Sequence, residues 1–261
     1  MVTADHALRA YDGLAPAYDV FTAGHDHAAW AWQLEELAAR EGLAGRRLLD
    51  VGCGTGSGLA PMIDRGYDVT GVDVSPRMLQ VARDKLGPDV TLIAEDMRRL
   101  PSLGEFDLVW SLCDAVNYLH GEDELVAAFS GFRRNLAPGG VVVFDVDTLA
   151  TFRVLYSSLM VVPGDDAIVV FEGRAGDALA EGAVAEAWID RLERAEPPWW
   201  HRVRTVHRQR HHPRLALERA LAMAGLAAVA VWGTDGAGAP EQPLDELRHN
   251  KAVYIAQHAA P

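Results

Sequence analysis

The stretch Arg46 to Gly58, RRLLDVGCGTGSG, decides how the rest of the chain is read. Leu48, Leu49 and Val51 form an apolar run around Asp50, and Gly52, Gly54 and Gly56 follow at once. An apolar run ending in closely spaced glycines reads as a buried strand that turns sharply into a helix. Glycines at such a turn adopt backbone conformations closed to other residues and let a ligand lie against the chain. The free N–H groups opening the next helix attract anionic groups. The turn therefore predicts a ligand site, with Asp50 beside it.

The spacing narrows the ligand. A dinucleotide fingerprint, G-x-G-x-x-G, needs glycine at position 57 counted from Gly52, or at 59 counted from Gly54. Ser57 and Leu59 stand there, which speaks against a nicotinamide-dependent oxidoreductase. Three more strand exits follow. YDVTGVDVS, Tyr67 to Ser75, carries Asp73 about twenty residues past the glycines, where a carboxylate can accept hydrogen bonds from both hydroxyls of a ribose. VTLIAEDM, Val90 to Met97, sets Asp96 beside Met97. FDLVWSL, Phe106 to Leu112, leads through a helix to LAPGGVVVFDV, Leu136 to Val146.

In this order, D-V-G-C-G-T-G and the three later signals resemble the motifs of class I S-adenosylmethionine (SAM) dependent methyltransferases. The resemblance implies SAM as cofactor and S-adenosylhomocysteine as product. It gives the methionine portion to Gly52, Gly54 and Gly56, its amino group to Asp50, the ribose to Asp73 and the adenine to Asp96 with Met97. Cys113 falls beside the sulfonium, and Trp30, Cys53, Val74, Met78 and Leu112 complete the expected cofactor contacts. Near the N-terminus, Tyr11, Asp12, Ala15, Tyr18 and Asp19 match Y-x-x-x-A-x-x-Y-D, which in related methyltransferases forms a lid over the cofactor. Tyr18 is its expected closing member.

The expected fold is α/β and Rossmann-like: a mostly parallel seven-stranded sheet with helices on both faces, an N-terminal helical lid and an inserted antiparallel flap. The residues support this through alternation. Strand signals end at Val51 and begin at Asp68, Val90 and Phe106, with helices from Ser57 to Arg65 and Pro76 to Leu86 between them, implying right-handed crossovers. Ser75-Pro76 reads as a helix cap followed by proline. Two helices, Asp5 to Tyr18 and His27 to Arg40, precede the first strand. The alternation breaks after Leu149, where Ala167 to Arg174, Ala183 to Arg194 and Trp199 to Arg210 read as three strands, the last two joined through Glu196-Pro197-Pro198. Pro213 to Ala224 is a helix stopped at Gly225, and Ala227 to Trp232 and Lys251 to Gln257 supply two final strands around a connection from Gly233 to Leu244. The organisation is then a lid (1–45), a cofactor-binding core (46–148), a flap (149–210) and a return to the core (211–261).

The acceptor should meet SLCDAVNYLHGEDEL, Ser111 to Leu125, which makes Asp114, Asn117, Tyr118 and His120 candidate contacts. D-x-x-N-Y-L resembles a group of bacterial small-molecule methyltransferases and, more distantly, antibiotic sugar N,N-dimethyltransferases, in which a histidine takes the place of Tyr118. Asp114, Tyr118 and His207 are the catalytic candidates for moving a proton. Asp145 and Asp147 could face a cationic or hydroxylated acceptor, or cap the next segment. Arg202, Arg204, Arg208 and Arg210 invite an anionic substrate, but Glu186, Asp190, Glu193 and Glu196 in the neighbouring strand favour cross-strand pairing.

A formal charge of -13 over 261 residues disfavours nucleic-acid binding, which relies on attraction to phosphate. A small-molecule acceptor fits. Cys53 and Cys113 lack zinc-site spacing and disulfide density, and there is neither an export signal nor an apolar run long enough to cross a membrane. A cytoplasmic protein without bound metal is expected, since the adjacent His211 and His212 cannot converge on one ion. A homodimer and a SAM-binding subunit without turnover both stay open at this stage.

Overall fold

The computed structural model describes residues 3–176, 178–196, 198–235 and 239–260. Pro197 in the expected flap junction, and residues 236–238 in the expected final connection, lie outside them.

Apolar side chains pointing alternately to its two faces build the central sheet. Along β1 (Arg47–Val51), β4 (Phe106–Ser111) and β5 (Leu136–Asp147), successive side chains enter opposite cores. Leu49, Val109, Val142 and Phe144 face one side, and Leu48, Leu108, Trp110 and Val143 the other. That period of two, apolar on both faces, requires helices on both faces. α6 (Glu122–Asn135) and α8 (Arg214–Met223) cover the first face through Phe129, Phe132 and Leu217; α3 (His27–Arg40) and α4 (Ala60–Asp64) cover the second through Leu34, Leu37 and Met62.

With β2 (Asp68–Asp73), β3 (Thr91–Ala94), β10 (Leu226–Thr234) and β11 (Lys251–His258), the seven strands run in the order β10-β11-β5-β4-β1-β2-β3. β1 to β5 are parallel, whereas β11 is antiparallel to both neighbours. Strand order reverses between β1 and β4, so their carboxyl ends open a crevice there. α5 (Pro76–Leu86) starts at the Ser75 cap, whose hydroxyl accepts the Met78 amide 3.1 Å away.

The lid and flap depart from the expected elements. The first expected helix is cut at Pro16, which lacks the N–H a continuing helix needs: α1 (Thr3–Leu14) passes through a 3-10 turn (Ala15–Ala17) into α2 (Tyr18–Phe21). The helix expected from Ser57 begins only at Ala60, because the glycine-rich turn continues to Leu59. The flap has four strands rather than three: β6 (Leu159–Pro163), β7 (Ala167–Gly173), β8 (Val184–Arg194) and β9 (Trp200–Arg210), after a short α7 (Leu149–Leu155). Its inner face packs on the lid: Leu14 and Ala17 share a core with Phe152, Tyr156, Phe171 and Ile189. Lid and flap thus form one roof over the crevice. None of the helices among the described residues is long and apolar enough to cross a membrane.

Candidate active site

The glycine loop forms the floor. Gly52 and Gly54 have φ of 87° and 54°, and the amides of Gly52 and Cys53 both donate to the Val72 carbonyl on β2. A side chain at Gly54 would point at the Tyr18 ring, 3.9 Å away, so the lid tyrosine lies directly over the loop. The lid is clasped there: Asp19 accepts the Thr55 hydroxyl at 2.6 Å and pairs with Lys85 at 2.8 Å, and Asp12 accepts the Ser75 hydroxyl.

Around this floor lies a cleft of about 1100 Å³, lined by Tyr18, Trp30, Asp50, Gly52, Cys53, Gly54, Asp73, Val74, Asp96, Met97, Leu112, Cys113 and Tyr118. Two expected members lie elsewhere. Gly56 is beneath the loop, where a side chain would strike Leu86 at 2.7 Å; its glycine serves packing against α5. Met78 is buried in α5, because the Ser75 cap turns the first helical residues inward.

Three carboxylates mark the cleft. Burial pushes Asp50 up to about 7, and pushes Asp73 up to about 6 even though the latter accepts the amides of Gly54 and Ser75 at 2.9 and 2.8 Å. Asp96 behaves in the opposite way. Desolvation raises it, but the Arg98 guanidinium, 2.6 Å away, outweighs that and holds it below the usual range. Arg98 is in turn held by Glu124 at 2.5 Å. The sequence reading missed Arg98, although its position two residues past Asp96 was a usable signal.

Beyond the cleft is a second cavity of about 800 Å³ under the flap, lined by Asp114, Asp147, His207, Gln209 and Lys251 among others. Tyr11, Tyr18, His27, Cys113 and Tyr118 line both spaces and form the neck between them.

Asp145 sets the shape of the neck. Its buried carboxylate accepts the amides of Cys113 at 2.9 Å and Asp114 at 2.7 Å, the Trp30 indole at 3.1 Å, and Lys251 at 3.0 Å. Cys113 and Asp114 are left-handed, with φ of 56° and 57°, a conformation non-glycine residues hold only when their surroundings enforce it. Asp145 therefore anchors the turn and does not face an acceptor. Lys251, read from sequence only as the start of a strand, reaches Asp114 at 2.9 Å, Asp145 at 3.0 Å and Asp147 at 2.9 Å.

The oxygens of these three carboxylates are not equally occupied. Asp114 gives one to Lys251 and the other to Gln209, 2.6 Å away. Asp145 is fully engaged. Asp147 gives Oδ1 to Lys251, and no hydrogen bond from a described residue reaches its Oδ2. Burial pushes Asp147 up to about 7.

His207 is spent. Thr205 Oγ1 donates to the Ile189 carbonyl at 3.2 Å, so it accepts from His207 Nε2 at 3.0 Å. His207 Nδ1 is then an acceptor and takes the Tyr118 hydroxyl proton at 2.8 Å. Burial lowers His207 to about 3, so it stays neutral and its lone pair is filled. The Tyr118 phenol is pushed up by the same burial. Asn117 is also consumed, donating to the Arg210 carbonyl and accepting the Asp147 amide, and His120 bonds Glu124 and the Arg208 carbonyl. These two brace the fold. Three of the four arginines of the basic strand are paired as expected, Arg202 and Arg204 with Asp190 and Arg208 with Glu186, whereas Arg210 donates to the His120 carbonyl instead. His211 meets Glu246 at 3.2 Å.

Comparison with known proteins agrees with this geometry. Residues 48–140 match a family profile described as a methyltransferase domain. The chain is 39% identical over 133 residues to the dTDP-3-amino-3,4,6-trideoxy-alpha-D-glucopyranose N,N-dimethyltransferase of Streptomyces venezuelae, covering 50% of this chain and 56% of that protein. The chain spans between about half and two thirds of the length of the curated relatives it matches. Among solved structures, Streptomyces venezuelae DesVI superposes with a TM-score of 0.74 at 27% identity, covering 94% of this chain and 98% of the other. The sugar N-methyltransferase KedS8 from Streptoalloteichus gives 0.72 at 28% identity, covering 91% and 92%. Glycine loop, strand order, roofed crevice and these likenesses lead to one conclusion: residues 48–140 form a methyltransferase domain, and the chain as a whole is folded like the S-adenosylmethionine-dependent methyltransferases.

Proposed function

We propose that the protein transfers a methyl group from SAM to the nitrogen of a small-molecule amine. The donor occupies the cleft over the glycine loop and the acceptor the cavity under the flap. The observation that carries this reading is the neck, which joins the two spaces and opens on Asp114, Asp147 and Lys251, with the buried Asp145 behind them. When all four are ionised that group carries excess negative charge, which favours an ammonium over a neutral hydroxyl. Relatives whose names specify N,N-dimethylation of amino sugars support the same choice.

In the cleft, Gly52 and Gly54 leave room for the methionine portion, Asp50 holds its amino group, Asp73 the ribose hydroxyls, and Asp96 with Met97 the adenine. Trp30, Cys53, Val74 and Leu112 supply walls, Cys113 stands beside the sulfonium and Tyr18 closes from the lid. Gly56 and Met78 support these groups from behind. SAM brings an activated methyl on a sulfonium, so alignment is the protein's main task and supplies about 7–11 kcal/mol of barrier reduction at near-attack geometry. Asp147, with its open oxygen, receives the ammonium proton before attack. Asp114, Tyr118 and His207 form a hydrogen-bonded wall that positions the acceptor.

The division into lid, core, flap and return to the core belongs to this reading, as does a cytoplasmic setting, supported by two free thiols. So does a homodimer, supported by edge strand β6, where Leu159 and Val161 are exposed.

The test is an S-adenosylhomocysteine-release assay on matched acceptors differing only in an amine or a hydroxyl, dTDP-linked amino sugars among them. Turnover of amines alone is expected. Turnover of the hydroxyl members at equal rates contradicts the reading. Asp147→Asn should lower kcat on an accepted amine about 100-fold, the lower range for a positioned base, while S-adenosylhomocysteine affinity holds.

A further inference from the structure

One cluster at the neck contains two histidines that have no part in methyl transfer as described. His25, ahead of α3, and His27, in its first turn, bring their rings to a centroid distance of 4.6 Å. Across from them, Cys113 Sγ lies 3.9 Å from His25 Nε2. One donor atom from each of the three lies within 4.8 Å of the others. We propose that His25, His27 and Cys113 form a binding site for a borderline-soft divalent cation of the zinc class, with an open position toward the acceptor cavity.

Four features of the chemistry suit that cation. Two imidazoles and a thiolate are a donor set zinc prefers, and three protein ligands leave the fourth place for water or another small ligand. The Thr22 hydroxyl donates to the Tyr18 carbonyl at 3.1 Å, so it accepts from His27 Nε2 at 3.3 Å. That leaves His27 Nδ1 as the ring's lone pair, with the other nitrogen hydrogen-bonded to an oxygen, the outer arrangement that metal-binding histidines use. Finally, Cys113 projects from a fixed backbone position, because Asp145 holds its amide. Binding exchanges the thiol proton for the metal: the S–H bond breaks, the S–metal bond forms, and the proton passes to solvent. His27 and Cys113 line both spaces, so the ion would stand in the neck and obstruct the path between donor and acceptor.

Cobalt(II), titrated alone into the full chain under reducing conditions, tests this. The expected result is one equivalent bound with a near-ultraviolet sulfur-to-cobalt charge-transfer band that added zinc abolishes. Cys113→Ser should remove the band. His25→Ala should weaken binding by more than about tenfold, since even loss of an outer partner costs that much. His211→Ala, at the unrelated histidine pair, should change neither. Thermal melting without metal confirms that each variant is folded. No band at millimolar cobalt, a band retained in Cys113→Ser, or an unchanged cobalt affinity in His25→Ala overturns the proposal.

Discussion

At the scale of single residues, the chain holds carboxylates where desolvation opposes their charge. Asp50 has an ordinary value near 3.8 when unfolded and about 7 in the fold. The folded state therefore binds more protons between those values, and its stability falls as pH rises through the window. The contribution is favourable below about pH 4 and lost by about pH 7. Asp73 acts in the same direction over a narrower range. A cationic amino group placed against Asp50 favours its charged form, so cofactor binding near pH 6.5 should expel a proton. Calorimetry of S-adenosylhomocysteine binding in two buffers of different ionisation enthalpy should show that release, and Asp50→Asn should remove it. A second residue-scale expectation concerns Asp145→Ala. It leaves the Trp30 indole and two left-handed amides without their acceptor while Lys251 keeps Asp114 and Asp147, and should cost about 1–3 kcal/mol or more, the penalty of an unsatisfied buried donor, read as a lowered unfolding midpoint in urea. Asp50, Asp73 and Asp96 were legible in the sequence because strand exits put them at one sheet edge. Lys251 was not: it lies 137 positions from Asp114, and only pairing of β11 with β5 brings it in. Likewise His207 read as a free base until its neighbours, set by strand register, were seen to fill both nitrogens.

At the scale of elements, the roof works because α1 and β9 approach closely. A side chain at Gly13 would meet the Thr205 methyl at 2.4 Å, and Thr205 is buried. Gly13→Ala should destabilise the lid–flap contact by about 1–3 kcal/mol, as overpacking does. Hydrogen exchange would register this as faster exchange in the amides of α1 and β9, with β1 and β4 unchanged. The core strands and α5 were legible from apolar runs, the serine cap and Pro76. β6 was not, because LMVVP follows α7 so closely that no turn residue other than Ser157-Ser158 marks its start. The broken first helix was marked by Pro16, a local signal outweighed in the reading by the lid motif around it.

At the scale of the molecule, the chain builds two spaces that meet at one neck, and the order of strands decides where. The reversal between β1 and β4 fixes the donor cleft, while the insertion after β5 closes the acceptor cavity. The first was legible because each βαβ step has one favoured hand. The second depends on contacts between segments far apart in sequence, such as Gln209 with Asp114 and Tyr156 with Gln209, which no local pattern announces. The account rests on the cleft over the glycine loop holding the cofactor. Isothermal titration of the folded full chain with S-adenosylhomocysteine tests this most directly: the account predicts one equivalent bound, with affinity at least about tenfold weaker in Asp73→Asn, and failure of the wild-type chain to bind would contradict it.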